Sequence, residues 1–126
     1  MVYLGIDFGL KKVGLAISYS GKQATAVGVF SLQEVNQVLT NLIEKENIDK
    51  IVIGLPEGKL AKEIQNFAQK LERTSGLEVE LVDETLSSKE ALTALVASGT
   101  SRKKRKKKLD AYAACLILEN YLARTI

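Results

Sequence analysis

One aspartate inside an apolar strand constrains this chain more than any other feature. Asp7 falls within Val2–Phe8, flanked by Ile6 and Phe8. A buried carboxylate costs several kcal/mol unless hydrogen bonds, a cation or a metal pair with it. Gly5 and Gly9 on either side carry no side chain, so a ligand or a metal-bound phosphate could approach the backbone there. The first strand therefore reads as a rigid carrier for a charge.

The elements that follow are legible by period. Val2–Phe8, Val13–Tyr19 and Ala24–Phe30 read as three strands. Short connections around Leu10–Lys12 and Gly21–Gln23 predict antiparallel hairpins. Ser31 and Glu34 form a capping box before a helix with Leu32, Val35, Val38, Leu39, Leu42 and Ile43 on one face. Ile51–Ile53 is a short continuous apolar strand, the kind buried on both faces, and it runs into Gly54-Leu55-Pro56.

A second helix is predicted through Leu60, Ala61, Ile64, Phe67, Ala68 and Leu71, stopping near Gly76. Leu77–Val82 alternates apolar residues with Glu78 and Glu80, which suits an edge strand. Ser87 and Glu90 form a second capping box, for a helix ending at Gly99. Leu109, Tyr112, Ala113, Leu116, Ile117 and Tyr121 predict a final amphipathic helix. The order βββαβαβαα implies an α/β fold: a mixed five-stranded sheet flanked by helices, one domain over residues 1–126.

Absences narrow the chemistry. The chain has no histidine, which removes Ser-His and Cys-His catalysis and the usual zinc-ligand sets. Gly9 and Gly14 have the spacing of a phosphate loop, but Leu15-Ala16 stands where Lys-Ser/Thr is required. The lone cysteine, Cys115, sits in an apolar helical pattern and reads as a packed thiol. No apolar run reaches the ~18 residues of a membrane span, and the N-terminus lacks the order of a signal peptide. The expected location is the cytoplasm.

What remains is carboxylate chemistry. Asp7 is on the first strand, Asp83-Glu84 at the end of the last, and Asp110 near the start of the last helix. Open α/β sheets bind ligands outside the carboxyl ends of their strands, so acids far apart in sequence can converge there. Glu57, after the Gly-Leu-Pro turn, is a fourth acid at that end. Two or three carboxylates with phosphate oxygens and water are what Mg²⁺ or Mn²⁺ accepts, and two-metal nucleases work from such a set without histidine. Asp83 has a duller task available, opening a turn into the following helix, as has Asp110 in favouring a helix N-terminus.

Charge is concentrated. Arg102-Lys103-Lys104-Arg105-Lys106-Lys107-Lys108 is an unbroken run of cations, and the rest of the chain is net acidic. Such a run is either a solvated, mobile loop or a grip on phosphate backbone. The grip is the better reading, because seven neighbouring cations repel one another without an anionic partner.

Four motifs in register then resemble one family. They are Gly5-Ile6-Asp7-Phe8-Gly9 with Lys11-Lys12-Val13-Gly14-Leu15-Ala16, then Gly54-Leu55-Pro56, then Val82-Asp83-Glu84, then Asp110-Ala111-Tyr112-Ala113-Ala114. Together they look like the YqgF (RuvX-like) family, described as Holliday junction resolvases and as the nuclease that trims the 5′ end of pre-16S ribosomal RNA. The resemblance implies a ribonuclease-H-like fold, with Asp7, Glu84 and Asp110 as catalytic, metal-binding carboxylates. It implies a nucleic-acid substrate, pre-rRNA or branched DNA, and association with ribosomal particles; on charge, Lys11 and Arg102–Lys108 are the residues expected to meet its phosphates. The chain departs from the family in two places. Thr85 stands where an Arg usually follows the Asp-Glu pair, and the loop after Pro56 is cut to Glu57-Gly58-Lys59.

Two other classes fit parts of the pattern. One is a nucleic-acid-binding protein of ribosome assembly that does no chemistry; absence of metal affinity would favour it. The other is an actin-like or sugar-kinase-like phosphotransferase, which needs a second related domain that 126 residues do not accommodate. No base-reading element or aromatic platform stands out, since the tyrosines and phenylalanines mostly fall on core-like positions. Both a monomer and a two-fold homodimer are compatible with the sequence.

Overall fold

The computed structural model describes residues 1–9, 11–55, 61–83 and 102–125. The elements are β1 (Tyr3–Phe8), β2 (Lys12–Ser18), β3 (Thr25–Ser31), α1 (Val35–Lys45), β4 (Lys50–Leu55), α2 (Ala61–Ser75), β5 (Glu78–Asp83) and α3 (Arg102–Thr125). The five strands form one sheet in the order β3-β2-β1-β4-β5. β1, β2 and β3 are antiparallel neighbours, while β4 and β5 run parallel to β1. The mixed sheet follows from the connections, since hairpins reverse the chain and helical crossovers do not.

The first hairpin depends on a glycine. Gly9 N–H donates to the Lys12 carbonyl at 3.0 Å. A Cβ at Gly9 would lie 2.8 Å from that same oxygen, so a side chain there would open the turn.

Strand alternation splits the core into two layers. Leu4, Ile6, Val13, Leu15, Ile17, Ile51 and Ile53 face α1 and α2, meeting Val35, Leu39, Ile64, Ala68 and Leu71. Val52 and Ala16 are on the other face, in contact with Ala114, Cys115, Ile117, Leu118, Tyr121 and Leu122 of α3. The continuous apolar run of β4 is explained by this covering on both sides. As the alternation of Leu77–Val82 predicts, β5 lies at an edge. Among the described residues, no helix is long and apolar enough to cross a membrane.

Local readings shift in three places. The first capping box forms, with Ser31 N–H donating to Glu34 Oε1 at 2.9 Å and Glu34 N–H to Ser31 Oγ at 3.2 Å. It closes a turn ahead of α1, however, and leaves Leu32 exposed rather than on the buried face. Tyr112 is likewise 40% exposed and not a core residue. The last helix is already helical at Arg102, so the basic run is helix and not loop. Lys and Arg are good helix formers, and the packing of residues 113–122 outweighs like-charge repulsion within the run. The second capping box lies outside the described residues.

An ionic cluster ties α3 to the sheet at the end remote from Asp7. Lys50 Nζ lies 3.2 Å from Glu80 Oε2 and 3.7 Å from Glu78 Oε2. It also sits 5.2 Å from the Tyr121 ring centroid, a cation–π distance. The Tyr121 hydroxyl, and after it the Lys50 ammonium, hold the Glu80 carboxyl below the usual carboxylate range. A depressed carboxylate stabilises the fold above its unfolded value of about 4.3 and loses that contribution as pH falls through the folded value. We therefore expect thermal stability to fall on acidification below about pH 4.3, with Glu80→Gln flattening that part of the profile.

Candidate active site at the carboxyl ends of the parallel strands

Asp7 is the penultimate residue of β1, at the end of the sheet where β1, β4 and β5 all finish. Pairing sets its surroundings. Asp7 is opposite Gly14 of β2 and Gly54 of β4, which in turn are opposite Val29 and Val82. The row across the sheet is thus Val29, Gly14, Asp7, Gly54, Val82. With strands about 4.8 Å apart, the aspartate has a neighbour without a side chain on each side. Asp7 is half-buried rather than sealed in the core. The carboxylate keeps access to a ligand while its backbone stays fixed by ladders on both edges.

The position of α3 follows from Gly5, two residues earlier on the same face. A Cβ at Gly5 would lie 2.9 Å from Leu118 Cβ and 3.0 Å from the Ala114 carbonyl oxygen. Tyr3, at the start of β1, meets Tyr121 with ring centroids 6.3 Å apart. The helix therefore runs antiparallel to β1 and close against it. One turn back from Ala114 is Asp110, and two residues on from Gly5 is Asp7. A helix rises about 6 Å over four residues and a strand about 6.6 Å over two. The backbone positions of Asp7 and Asp110 are thereby brought to the same end.

Other candidates separate. Asp83 pairs with Leu55, one row out of phase with Asp7. Glu84 follows it directly but, like Glu57, Thr85 and the loop after Pro56, lies outside the described residues. Lys11 is exposed in the β1–β2 hairpin. Arg102–Lys108 occupies α3 up to two residues before Asp110. Lys12, part of the first motif but not named as a substrate-binding residue, is exposed at this end and alternates with Gly14 on the α3 side; its period-two relation to Gly14 was the available signal. Cys115 is buried against Ala16 and Ala114. Burial pushes its thiol up to about 11, which makes it a packing residue.

The donor chemistry suits a hard divalent cation. Asp7 offers carboxylate oxygens, and the glycines beside it leave room for the waters that Mg²⁺ and Mn²⁺ retain. Among the described residues, no group of three or more Asp, Glu, Cys or His comes together. The fit therefore rests on Asp7 and the glycines paired on either side of it.

The family model described as "RuvX: Holliday junction resolvase" matches residues 1–124. A protein of Chlorobaculum tepidum named "Putative pre-16S rRNA nuclease" is 40% identical, covering 94% of this chain and 91% of its own. Proteins of the same name from Maridesulfovibrio salexigens and Bacillus subtilis are 41% and 37% identical, each alignment covering at least 97% of both chains. Among solved structures, fowlpox virus resolvase with Holliday junction DNA superposes with a TM-score of 0.65 at 13% identity, covering 100% of this chain and 99% of that one. Thermus thermophilus RuvC with a Holliday junction substrate gives 0.58 at 14% identity, covering 98% and 94%. At such identities the likeness is one of fold, and that fold is ribonuclease-H-like.

Proposed function

Because the chain belongs to the RuvX family, we propose that it is a metal-dependent nuclease hydrolysing phosphodiester bonds of structured nucleic acid. The substrate we assign is the 5′ end of pre-16S rRNA, reached on ribosomal particles. The observation that carries this reading is Asp7, set between Gly14 and Gly54 at the carboxyl ends of the parallel strands. The name shared by the close relatives supports RNA. The family description supports the second reading, a four-way DNA junction.

In the proposed site Asp7, Glu84 and Asp110 hold Mg²⁺ or Mn²⁺, with Asp83 a lesser candidate. When bound, such ions supply Lewis-acid stabilisation of the charge that develops on phosphoryl oxygens and lower the pKa of water. The chain's own contribution is positional. The β1 ladders hold the Asp7 backbone rigidly, the glycines admit a phosphate, and α3 carries Asp110 to the same end. Lys11 and Arg102–Lys108 meet the substrate backbone and fix its register without reading sequence.

The test is incubation of the protein with a pre-16S-like RNA and a four-way DNA junction in Mn²⁺, beside Asp7→Asn. Cleavage of the RNA by the wild type alone supports the assignment, and cleavage of the junction alone replaces it with the second reading. A protein that binds both and cuts neither would be the non-catalytic binding class. Junction cutting would further require a two-fold dimer, visible by sedimentation, whereas end trimming needs only a monomer.

Salt dependence tests the grip separately. Each phosphate contact contributes about 0.7 to 0.9 to the slope of log affinity against log salt. Replacing Arg102–Lys108 with glutamine is expected to flatten that slope by several such increments; an unchanged slope would remove the run from the interface.

A further inference from the structure

The sequence pattern assigns Tyr112 to the core, and the structure does not. Five large apolar side chains are exposed among the described residues: Met1, Tyr19, Val27, Leu32 and Tyr112. Two are aromatic, and they sit at opposite ends of the sheet. Tyr19 follows β2 at the end remote from Asp7, and its hydroxyl donates to Glu46 Oε2 at 2.8 Å. Tyr112 is on α3, two residues after Asp110 and four after the last cation of the basic run.

The position of Tyr112 on the helix is informative. Cys115 and Glu119, three and seven residues on, occupy the same stripe. That stripe faces the β2–β3 side, since Cys115 packs on Ala16 and Glu119 Oε2 accepts from Ala24 N–H at 3.0 Å. The seven consecutive cations Arg102–Lys108 precede Tyr112 on the same helix. An exposed ring thus follows a run of cations along the chain, at the end of the sheet that holds Asp7. A basic track with an aromatic face is how proteins hold single-stranded nucleic acid, the cations following phosphates and the ring stacking on a base.

We infer that Tyr112 is a stacking platform for an unpaired nucleobase adjacent to the phosphate that is cut. This rests on the nuclease reading and deepens it: the substrate has an unpaired nucleotide next to the cut, as at a single-stranded extension, and is not a fully paired duplex. A ring stacks on any base, so the contact selects strandedness and not sequence. Without such a face, the basic run alone would hold paired and unpaired backbone alike.

The experiment compares binding of three probes: an RNA hairpin with a 5′ single-stranded extension, its DNA counterpart, and the blunt RNA hairpin. All proteins carry Asp7→Asn so that nothing is cut. The parent is expected to bind the extended hairpins more tightly than the blunt one. Tyr112→Ala should weaken extended-hairpin binding about tenfold or more, the range for one base–aromatic stack, and leave the blunt hairpin unchanged. Tyr112→Phe, which keeps the ring, should stay within about twofold of the parent. Equal loss on RNA and DNA extensions means a platform indifferent to the sugar, and loss on RNA alone means that the neighbouring nucleotide is read as ribose; both support the stack. The inference is overturned if Tyr112→Ala binds like the parent, if it weakens all three probes equally, or if Tyr112→Phe fails as Ala does. Absence of cleavage by the wild type, with the extension effect intact, would overturn the nuclease reading and leave the platform standing.

Discussion

Asp7→Asn is expected to reduce phosphodiester cleavage by on the order of 10³-fold or more and to leave the fold in place. The loss is large because the amide keeps the shape of the carboxylate and discards its charge. A divalent ion supplies several kcal/mol of charge stabilisation to phosphoryl transfer, and about 4 kcal/mol is a factor of 10³ in rate. The fold survives because the Asp7 backbone is held by pairing to Gly14 and Gly54, which the substitution does not touch. Since the side chain is half-buried, the change in stability should stay within about 1 kcal/mol. Turnover in Mn²⁺ and thermal melts of both proteins check this. Unfolding of the variant would make Asp7 a structural residue and remove the proposed metal site.

Gly5→Ala is expected to act on the same site from a distance. The added methyl would meet Leu118 Cβ at 2.9 Å and the Ala114 carbonyl oxygen at 3.0 Å. Neither is the free end of a flexible side chain, so α3 itself has to move away from β1. Overpacking of this kind costs about 1 to 3 kcal/mol, and a fall of several degrees in melting temperature should follow. Asp110 rides on the displaced helix and Asp7 on the unmoved strand. The Mn²⁺ concentration giving half-maximal cleavage should therefore rise several-fold, whereas a change that only destabilised the fold would leave that midpoint unmoved at low temperature. Gly5→Val should be worse on both measures, since its branches leave still less room for Leu118.

Much of this was legible in the residues. The three opening strands, the covered strand at Ile51–Ile53, the helix that ends before Gly76 and the edge position of β5 all follow from short-range rules. Period two, period 3.6 and the glycine at a helix end are properties of neighbouring residues. The family motifs propose Asp7, Glu84 and Asp110 as the site, of which Asp7 and the backbone of Asp110 lie within the described residues and Glu84 does not. Local rules were less reliable where tertiary packing intervened. The helix through Arg102–Lys108 carries charges that repel one another in isolation, and it holds because its later turns are anchored on the sheet. Tyr112 fits an apolar face by spacing, yet it is exposed.

Chain order and patterning were enough to establish a mixed α/β sheet, a charge carried on its first strand and a separate basic segment, because those features depend on residues close together. Register was not among them. That Asp7 lies between Gly14 and Gly54, that Asp83 pairs with Leu55 and falls out of phase, and that α3 presses on Gly5 with Tyr112 left outside all depend on pairing between distant segments. A shift of one residue in that pairing would turn each strand's side chains to the opposite face. Only the packed sheet and helix decide which shift is taken, and with it which residues share the site.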